Sequence, residues 1–276
     1  MALEAYPQEL ARLTTTAGGR LVVERYGRAA EQIGEMWPVR SGGPHPVAVL
    51  VHGGYWRSRY RLDVMHALAA DLQRRGLVAW NLEYRRVGSA GGGWPGTFDD
   101  AAAGFDALGD LAGRYDLDLG RVAVVGHSAG GHLALWLAGR SRLEGGPGAR
   151  PRLLPALAVA LAGVCDLVEA ARRHLSQDAV VDLLGGGPRE RPEAYRRASP
   201  AALLPLGVPQ VLVHGTADES VPFDISERYV AAARAAGDTC ELIALEGVGH
   251  FALIDPASAA WRRTLERLSQ ALGRDP

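Results

Sequence analysis

The sequence predicts an α/β fold with a mostly parallel central sheet and helices on both faces. Short apolar runs bounded by glycine or proline alternate with longer segments whose apolar residues recur at helical spacing. The runs are continuously apolar, which is typical of strands buried on both faces of a parallel sheet. With 276 residues, 47% of them hydrophobic, the chain can form one large core, so we predict a single domain over residues 1–276.

The elements before the central motif follow this alternation. Residues 1–18 are expected to form a short helix and loop. After them we predict edge strands at 20–26 and 33–40, a strand at 47–52, a helix near 62–75, a strand at 77–82 and a helix from Asp99 to Ala112.

The second half continues with strands at 121–125, 156–161, 209–215 and 241–245, and with helices at 133–137, 224–236 and 257–272. The segment 166–207 lies between two of these strands and is predicted to form a small cap over the pocket. Its glycines at 185–187 and its arginine-rich stretch 189–197 are typical of a solvated, partly mobile surface.

The stretch from Val122 to Trp136 has the form of a nucleophile elbow, a strained turn that exposes a serine between a buried strand and a helix. Glycine stands two residues on either side of Ser128, at Gly126 and Gly130, where only small residues fit. The turn leaves the first N–H groups of the next helix free to face an anion. Ser128 is therefore the candidate nucleophile, and a glycine-rich turn with a surface serine is the alternative.

Two further apolar runs end in residues that could activate this serine. The run from Pro209 ends in a turn that carries Asp218, and the run from Glu241 ends in a loop that carries His250. A serine hydroxyl needs a base to accept its proton, and the histidine needs an acid to fix its tautomer. Because the carboxyl ends of parallel strands share one edge of the sheet, we predict a triad of Ser128, Asp218 and His250.

Other histidines and acids compete for these roles. The competing histidines are expected to be structural residues that pack or hydrogen-bond locally: His52, His127, His132 and His214. The competing acids are Asp166, Glu219 and Asp255, of which the last, before a proline, is more typical of a helix start.

An apolar strand that runs into paired glycines, in His-Gly-Gly-Tyr-Trp at 52–56, predicts an oxyanion hole. We assign its donors to the backbone N–H groups of Gly54, Tyr55 and Ala129, which would stabilise charge that develops in the transition state. The side chains of Tyr55 and Trp56 are predicted to line the acyl pocket, and the alternative is that they only cover the loop.

Together these motifs resemble the α/β-hydrolase superfamily, in which the triad follows the chain order serine, acid, histidine. Within it the chain is similar to hormone-sensitive-lipase-like esterases and, more closely, to the arylformamidase (kynurenine formamidase) group, whose motif has an aromatic pair after two glycines, as at 52–56. The resemblance covers about residues 45–270. It implies a serine hydrolase that cleaves a small-acyl ester or an aryl formamide through an acyl-enzyme.

Composition excludes several other classes. The net charge of −1 offers no electrostatic reason to bind nucleic acid or an anionic membrane. The sequence has no lysine, which excludes Schiff-base and pyridoxal phosphate chemistry. Cys165 and Cys240 are too few for a disulfide framework, and no residues have zinc-binding spacing, so no metal or organic cofactor is expected. The N-terminus has no signal-peptide pattern, which predicts a cytoplasmic protein.

Two other function classes share the fold. A prolyl-oligopeptidase-type peptidase has the same triad order but usually carries a gating domain that 276 residues cannot accommodate. A non-catalytic ligand receptor is disfavoured by an intact triad. The expected partner is a small-molecule ester or amide, and the oligomeric state is open, with a homodimer as one alternative.

Overall fold

The computed structural model describes residues 21–40 and 42–273, and within them the chain forms an eight-stranded sheet with helices on both faces. Strands β1 to β8 are Val22–Arg25, Ile33–Trp37, His45–Val51, Val78–Leu82, Leu117–His127, Leu157–Leu161, Gln210–Gly215 and Cys240–Leu245. Helices α1 to α9 are His66–Arg74, Gly96–Asp106, Leu108–Tyr115, Ala129–Ala138, Leu167–Arg172, Ala179–Leu184, Pro192–Ala198, Phe223–Ala235 and Ala259–Leu272. Short 3₁₀ turns lie at Leu62–Met65, Gly139–Arg142, Pro200–Ala202 and His250–Ile254.

The strand order is β1-β2-β4-β3-β5-β6-β7-β8. The first two pairings, β1 with β2 and β2 with β4, are antiparallel, and the other pairings are parallel. The prediction of a mostly parallel sheet in an α/β-hydrolase fold is confirmed. Since β5, β7 and β8 run in the same direction, the residues that follow them emerge at one edge of the sheet.

The apolar strands are buried on both faces. In β3, Val47 and Val49 belong to the core on one face, and Ala48 and Leu50 belong to the core on the other. Helices α1 and α9 cover the second face, and α2 to α8 cover the first. This two-sided burial explains why the strands read as continuous apolar runs rather than as alternating patterns.

Several bounds differ from the prediction. The predicted helix from Asp99 to Ala112 is two helices, α2 and α3, and α2 begins earlier than predicted, with Pro95 at its N-cap. The elbow strand starts at Leu117, so it is longer than its apolar stretch. The predicted helix and loop at 1–18 lies outside the described residues.

The segment 166–207 contains α5, α6 and α7, whose inner faces join the core of the first sheet face through residues such as Leu167, Leu183 and Tyr195. Its role as a cap stays a prediction. Across residues 21–40 and 42–273, no helix has the length and apolar character that a membrane crossing requires.

Candidate active site

Ser128 lies in the turn between β5 and α4, with φ 57° and ψ −119°. A non-glycine residue at positive φ stores backbone strain and is held there by its surroundings. A side chain at Gly126 would place its Cβ 1.9 Å from the carbonyl oxygen of Gly130. A Cβ at Gly130 would lie 2.0 Å from the carbonyl oxygen of Val51. Gly126 therefore lets β5 pack closely against the start of α4, and Gly130 lets α4 lie against the end of β3.

Asp218 follows β7, and its carboxylate is saturated with donors. Oδ1 accepts from the backbone N–H groups of Ser220 at 2.8 Å and Val221 at 2.9 Å. Oδ2 lies 2.7 Å from Nδ1 of His250 and 3.2 Å from Nε2 of His214. Burial alone would raise the pKa of Asp218, but these hydrogen bonds outweigh it and hold the pKa well below its usual range. The acid is thus ionised whenever the protein is folded at ordinary pH.

His250 is the first residue of the 3₁₀ turn that follows β8. Its position depends on close contact between the loop after β7 and the loop after β8. The N–H of Ala217 donates to the carbonyl of Val248 at 3.1 Å. A Cβ at Gly215 would lie 2.0 Å from that same carbonyl oxygen. Since ionised Asp218 can only accept a hydrogen bond, Nδ1 of His250 carries the proton, which leaves Nε2 free to act as the base.

A cavity of about 260 Å³ joins these groups. Ser128 and His250 both line it, together with Gly53, Gly54 and Tyr55 of the predicted oxyanion loop. The structure therefore brings the three candidate triad residues and this loop to one place.

The oxyanion loop approaches the elbow closely. A Cβ at Gly53 would lie 2.7 Å from the carbonyl oxygen of His127 and 3.0 Å from Cβ of Ser128. Gly54 has φ 109° and Tyr55 has φ 50°, so the backbone turns sharply just after β3. Ala129 is the first residue of α4, and its N–H has no acceptor within the helix. The assignment of the donors to Gly54, Tyr55 and Ala129 stays a prediction that this geometry allows.

His52 is a structural residue of this loop, in agreement with expectation. Its Nδ1 lies 2.8 Å from the carbonyl oxygen of Gly53, and its Nε2 lies 2.9 Å from Oε1 of Glu83. Its ring stacks on Tyr84 at a centroid distance of 4.3 Å. Burial would raise the pKa of Glu83, but the contacts with His52 and Arg86 outweigh it and lower that pKa. The loop is thus fastened to the end of β4.

The two predicted pocket aromatics differ in position. Tyr55 lines the cavity, and its hydroxyl donates to the carbonyl of Ser220 at 2.5 Å. Trp56 is fully buried, and its Nε1 donates to Nδ1 of His132 at 3.2 Å. Its indole packs in the core on the first sheet face, so the expectation that Trp56 lines the pocket is wrong.

The competing residues have partners of their own. Nε2 of His132 donates to the carbonyl of Ala198, and burial lowers the pKa of His132 to about 4. Asp166 caps the N-terminus of α5, and Asp255 accepts from the N–H of Ala257. His127 contacts His250 with a ring distance of 4.5 Å and donates to its carbonyl.

Sequence reasoning missed most of the cavity wall, because its side chains come from several separate segments. The residues missed are Tyr60, Val64, Ser176, Ser220, Phe251 and Ile254. Ser176 belongs to the predicted cap, and Arg57 anchors it by donating from Nη2 to the carbonyl of Ser176 at 2.7 Å. Within the described residues, no group of three or more histidine, cysteine or acidic side chains could hold a metal ion.

The chain matches the family model BD-FAE over residues 36–232. It is 26% identical over 217 residues to the probable isoprenylcysteine alpha-carbonyl methylesterase ICME of Oryza sativa subsp. japonica. The aligned region covers 75% of this chain and 52% of that protein. It is 28% identical over 244 residues to the esterase LipC of Mycobacterium tuberculosis, which covers 84% of this chain and 60% of that one. The chain therefore spans between about half and three fifths of the length of these relatives.

Among solved structures, a truncated form of a carbohydrate esterase from gut microbiota has a TM-score of 0.77 at 19% identity, with 91% of this chain and 95% of that chain covered. This likeness shows the shared fold, and the family model covers well over half of the sequence. The chain belongs to the BD-FAE family of α/β hydrolases.

Proposed function

We propose that this protein is a serine carboxylesterase that cleaves small-acyl esters through an acyl-enzyme. The observation that carries the proposal is that Ser128 and His250 line the same cavity beside the predicted oxyanion loop. Asp218 is hydrogen-bonded to His250 at 2.7 Å. The family relatives named as esterases support the same class of reaction.

The proposed reaction has two balanced steps. Oγ of Ser128 attacks the ester carbonyl while Nε2 of His250 takes its proton. The oxyanion would be stabilised by the N–H groups of Gly54, Tyr55 and Ala129, and loss of one such donor typically costs about 3–4 kcal/mol. His250 then returns the proton to the departing alcohol. Water repeats the sequence on the acyl-enzyme and releases the carboxylic acid.

The cavity favours a small, uncharged substrate. At about 260 Å³ it has little room for a long chain. Apart from the two histidines, the residues that line it carry no ionisable charge at neutral pH. Tyr55 and Tyr60 contribute two aromatic side chains to its wall.

An aryl formamide is the second candidate substrate. Phe251, next to the base, is 68% exposed and lines the cavity, so an aromatic leaving group could pack on it. The aromatic pair at 55–56, which resembles the formamidase motif, favours the same candidate.

A substrate panel tests both candidates. We expect kcat/KM for p-nitrophenyl esters from C2 to C12 to be highest at C2 to C4 and then to fall steeply. A methylene that fits contributes only about 1–3 kcal/mol, so a steep fall would indicate steric exclusion. A maximum at C8 or beyond would overturn the small-acyl proposal. N-formylkynurenine and methyl ferulate belong in the same panel, and absence of formamide turnover would remove the second candidate.

A further inference from the structure

The carboxylate of Asp218 lies within reach of a second histidine. Besides His250, its Oδ2 faces Nε2 of His214 at 3.2 Å, and the side chains of Asp218 and His214 are both fully buried. His214 stands at the end of β7, four residues before the acid. Backbone N–H groups occupy Oδ1. Among residues 21–40 and 42–273, His214 is the side chain that lies beside Oδ2 together with the proposed base.

The protonation pattern of His214 follows from its neighbours. Nε2 lies 3.0 Å from the carbonyl oxygen of Val221 and 3.2 Å from Oδ2 of Asp218. Both of these atoms only accept, so Nε2 carries the proton. Nδ1 lies 2.7 Å from Oγ of Ser226, whose hydroxyl can donate to it. In a neutral His214 the single Nε2–H donates to the carbonyl of Val221 and is shared with Oδ2 of Asp218, while Nδ1 accepts from Ser226.

We infer that His214 is a positioning residue for the reaction, whose Nε2–H holds the Asp218 carboxylate toward His250 and withdraws part of the negative charge that stabilises the His250 imidazolium. The inference rests on the proposed serine mechanism. Two donors on one oxygen compete, because each hydrogen bond draws charge density from it. Without the His214 donor, Asp218 would stabilise protonated His250 more strongly, so the active base would form only at higher pH.

Three ionisable groups near His214 and His250, namely His127, Tyr55 and Cys165, do not change charge in the pH range in which the reaction would be measured. Burial, with the charge of His250, lowers the pKa of His127 to about 3. Burial, with the charge of Asp218, raises the pKa of Tyr55 to about 12, although Arg57 opposes this. Burial also raises the pKa of Cys165, near Ser226, far above its usual value. These three neighbours therefore add no change of charge to the pH profile of the reaction.

The test compares kcat/KM for p-nitrophenyl acetate against pH in the wild type, His214→Leu and His214→Gln. Leucine removes the donor, and the Nε2 amide of glutamine can replace it. We expect His214→Leu to move the acid limb upward by roughly half a pH unit or more and to lower the plateau about tenfold. His214→Gln should stay near the wild-type profile. An equal loss at every pH, with the limb unmoved in His214→Leu, would overturn the inference.

The two proposals fail in different ways. No ester turnover by the wild type, or full turnover by Ser128→Ala, would overturn the serine esterase itself. If His214→Leu does not fold, NMR of the wild type with ¹⁵N-labelled histidine decides the inference. A phosphonate bonded to Ser128 holds His250 as the imidazolium, which should weaken the Nε2–H bond of His214 and move its proton resonance upfield. An unchanged resonance would contradict the shared-oxygen arrangement.

Discussion

At the nucleophile elbow, residue identity follows from contact distances. Gly126 and Gly130 are required because the backbone of each lies against a carbonyl that any side chain would strike. Ser128 in turn adopts a positive φ, a strained conformation that the surrounding structure holds in place. These constraints are local, which is why the motif could be recognised from sequence.

The first prediction concerns Gly126→Ala. Its Cβ would lie 1.9 Å from the Gly130 carbonyl, so we expect the free energy of unfolding in urea to fall by more than about 2 kcal/mol. Gly113→Ala is the matched control, because Gly113 lies in α3 with nothing within 4 Å of the added Cβ. It should raise stability by about 0.5–1 kcal/mol. Equal effects of the two changes would refute the steric account.

The second prediction separates the two candidate acids. Asp218→Asn should lower kcat by about 10⁴, because asparagine stabilises the wrong tautomer of His250. Asp255→Asn should leave kcat near wild type, since Asp255 bonds only the backbone of its own turn. Steady-state kinetics on p-nitrophenyl acetate decide the matter, and the reverse ranking would move the acid to Asp255.

Among the elements, the oxyanion loop contacts the segment 166–207 directly. Arg57 donates to the carbonyls of Ser176 and Gln177 at 2.7 and 3.2 Å. The backbone there is left-handed at residues 174 and 176–178, with φ between 48° and 60°. A strained turn of this kind needs tertiary contacts to persist, so Arg57 fixes the place of Ser176 in the cavity wall.

The third prediction is that Arg57→Met raises KM for p-nitrophenyl acetate about three- to tenfold. Loss of these charged hydrogen bonds would let the 174–178 turn move out of the cavity wall. Because the side chain is 31% exposed and charged hydrogen bonds contribute about 1.5–3 kcal/mol, the melting temperature should fall as well. Arg189→Met, an exposed arginine of the same segment, is the control and should leave KM unaltered. An unchanged KM in Arg57→Met would show that the turn is held by other contacts.

The fold could be predicted, and the three candidate triad residues could be picked out in order, because both depend on short patterns in the chain. Apolar runs identify the buried strands, and Gly126, Gly130 and paired glycines identify the turns that follow two of them. The cavity wall could not be predicted in the same way. Trp56 faces the core because its indole packs there and donates to His132, and Ser176 lines the cavity through contacts with Arg57, which is distant in the chain. His214 differs from an ordinary core histidine only in its distance to Asp218.

Across the whole molecule, buried neutral histidines couple stability to pH. Burial lowers the pKa of His127 to about 3 and that of His132 to about 4. In the unfolded chain a histidine has a pKa of about 6.5. Between these values the unfolded chain binds protons that the folded protein does not, so stability falls as the pH falls below about 6.5. Asp218, whose pKa is lowered, adds a loss in the same direction only below about pH 4.

The fourth prediction follows from this linkage. The free energy of unfolding in urea should be about 2–3 kcal/mol lower at pH 5.5 than at pH 7.5, because each histidine contributes up to about 1.4 kcal/mol per pH unit. His132→Gln removes one of the two titrations and should reduce the difference by about half. The same stability at both pH values would mean that these histidines are protonated in the folded protein.

The central claim, that Ser128 is the nucleophile of an acyl-transfer reaction, is tested most directly by covalent labelling. Wild-type protein is treated with a p-nitrophenyl phosphonate and digested, and the modified residue is located by mass spectrometry. We predict that the wild type carries one phosphonyl group on Ser128 and loses all ester hydrolysis. Ser128→Ala should not be labelled, and its turnover should be lower than that of the wild type by about 10⁴ to 10⁶. Label on another residue, or wild-type turnover by Ser128→Ala, would contradict it.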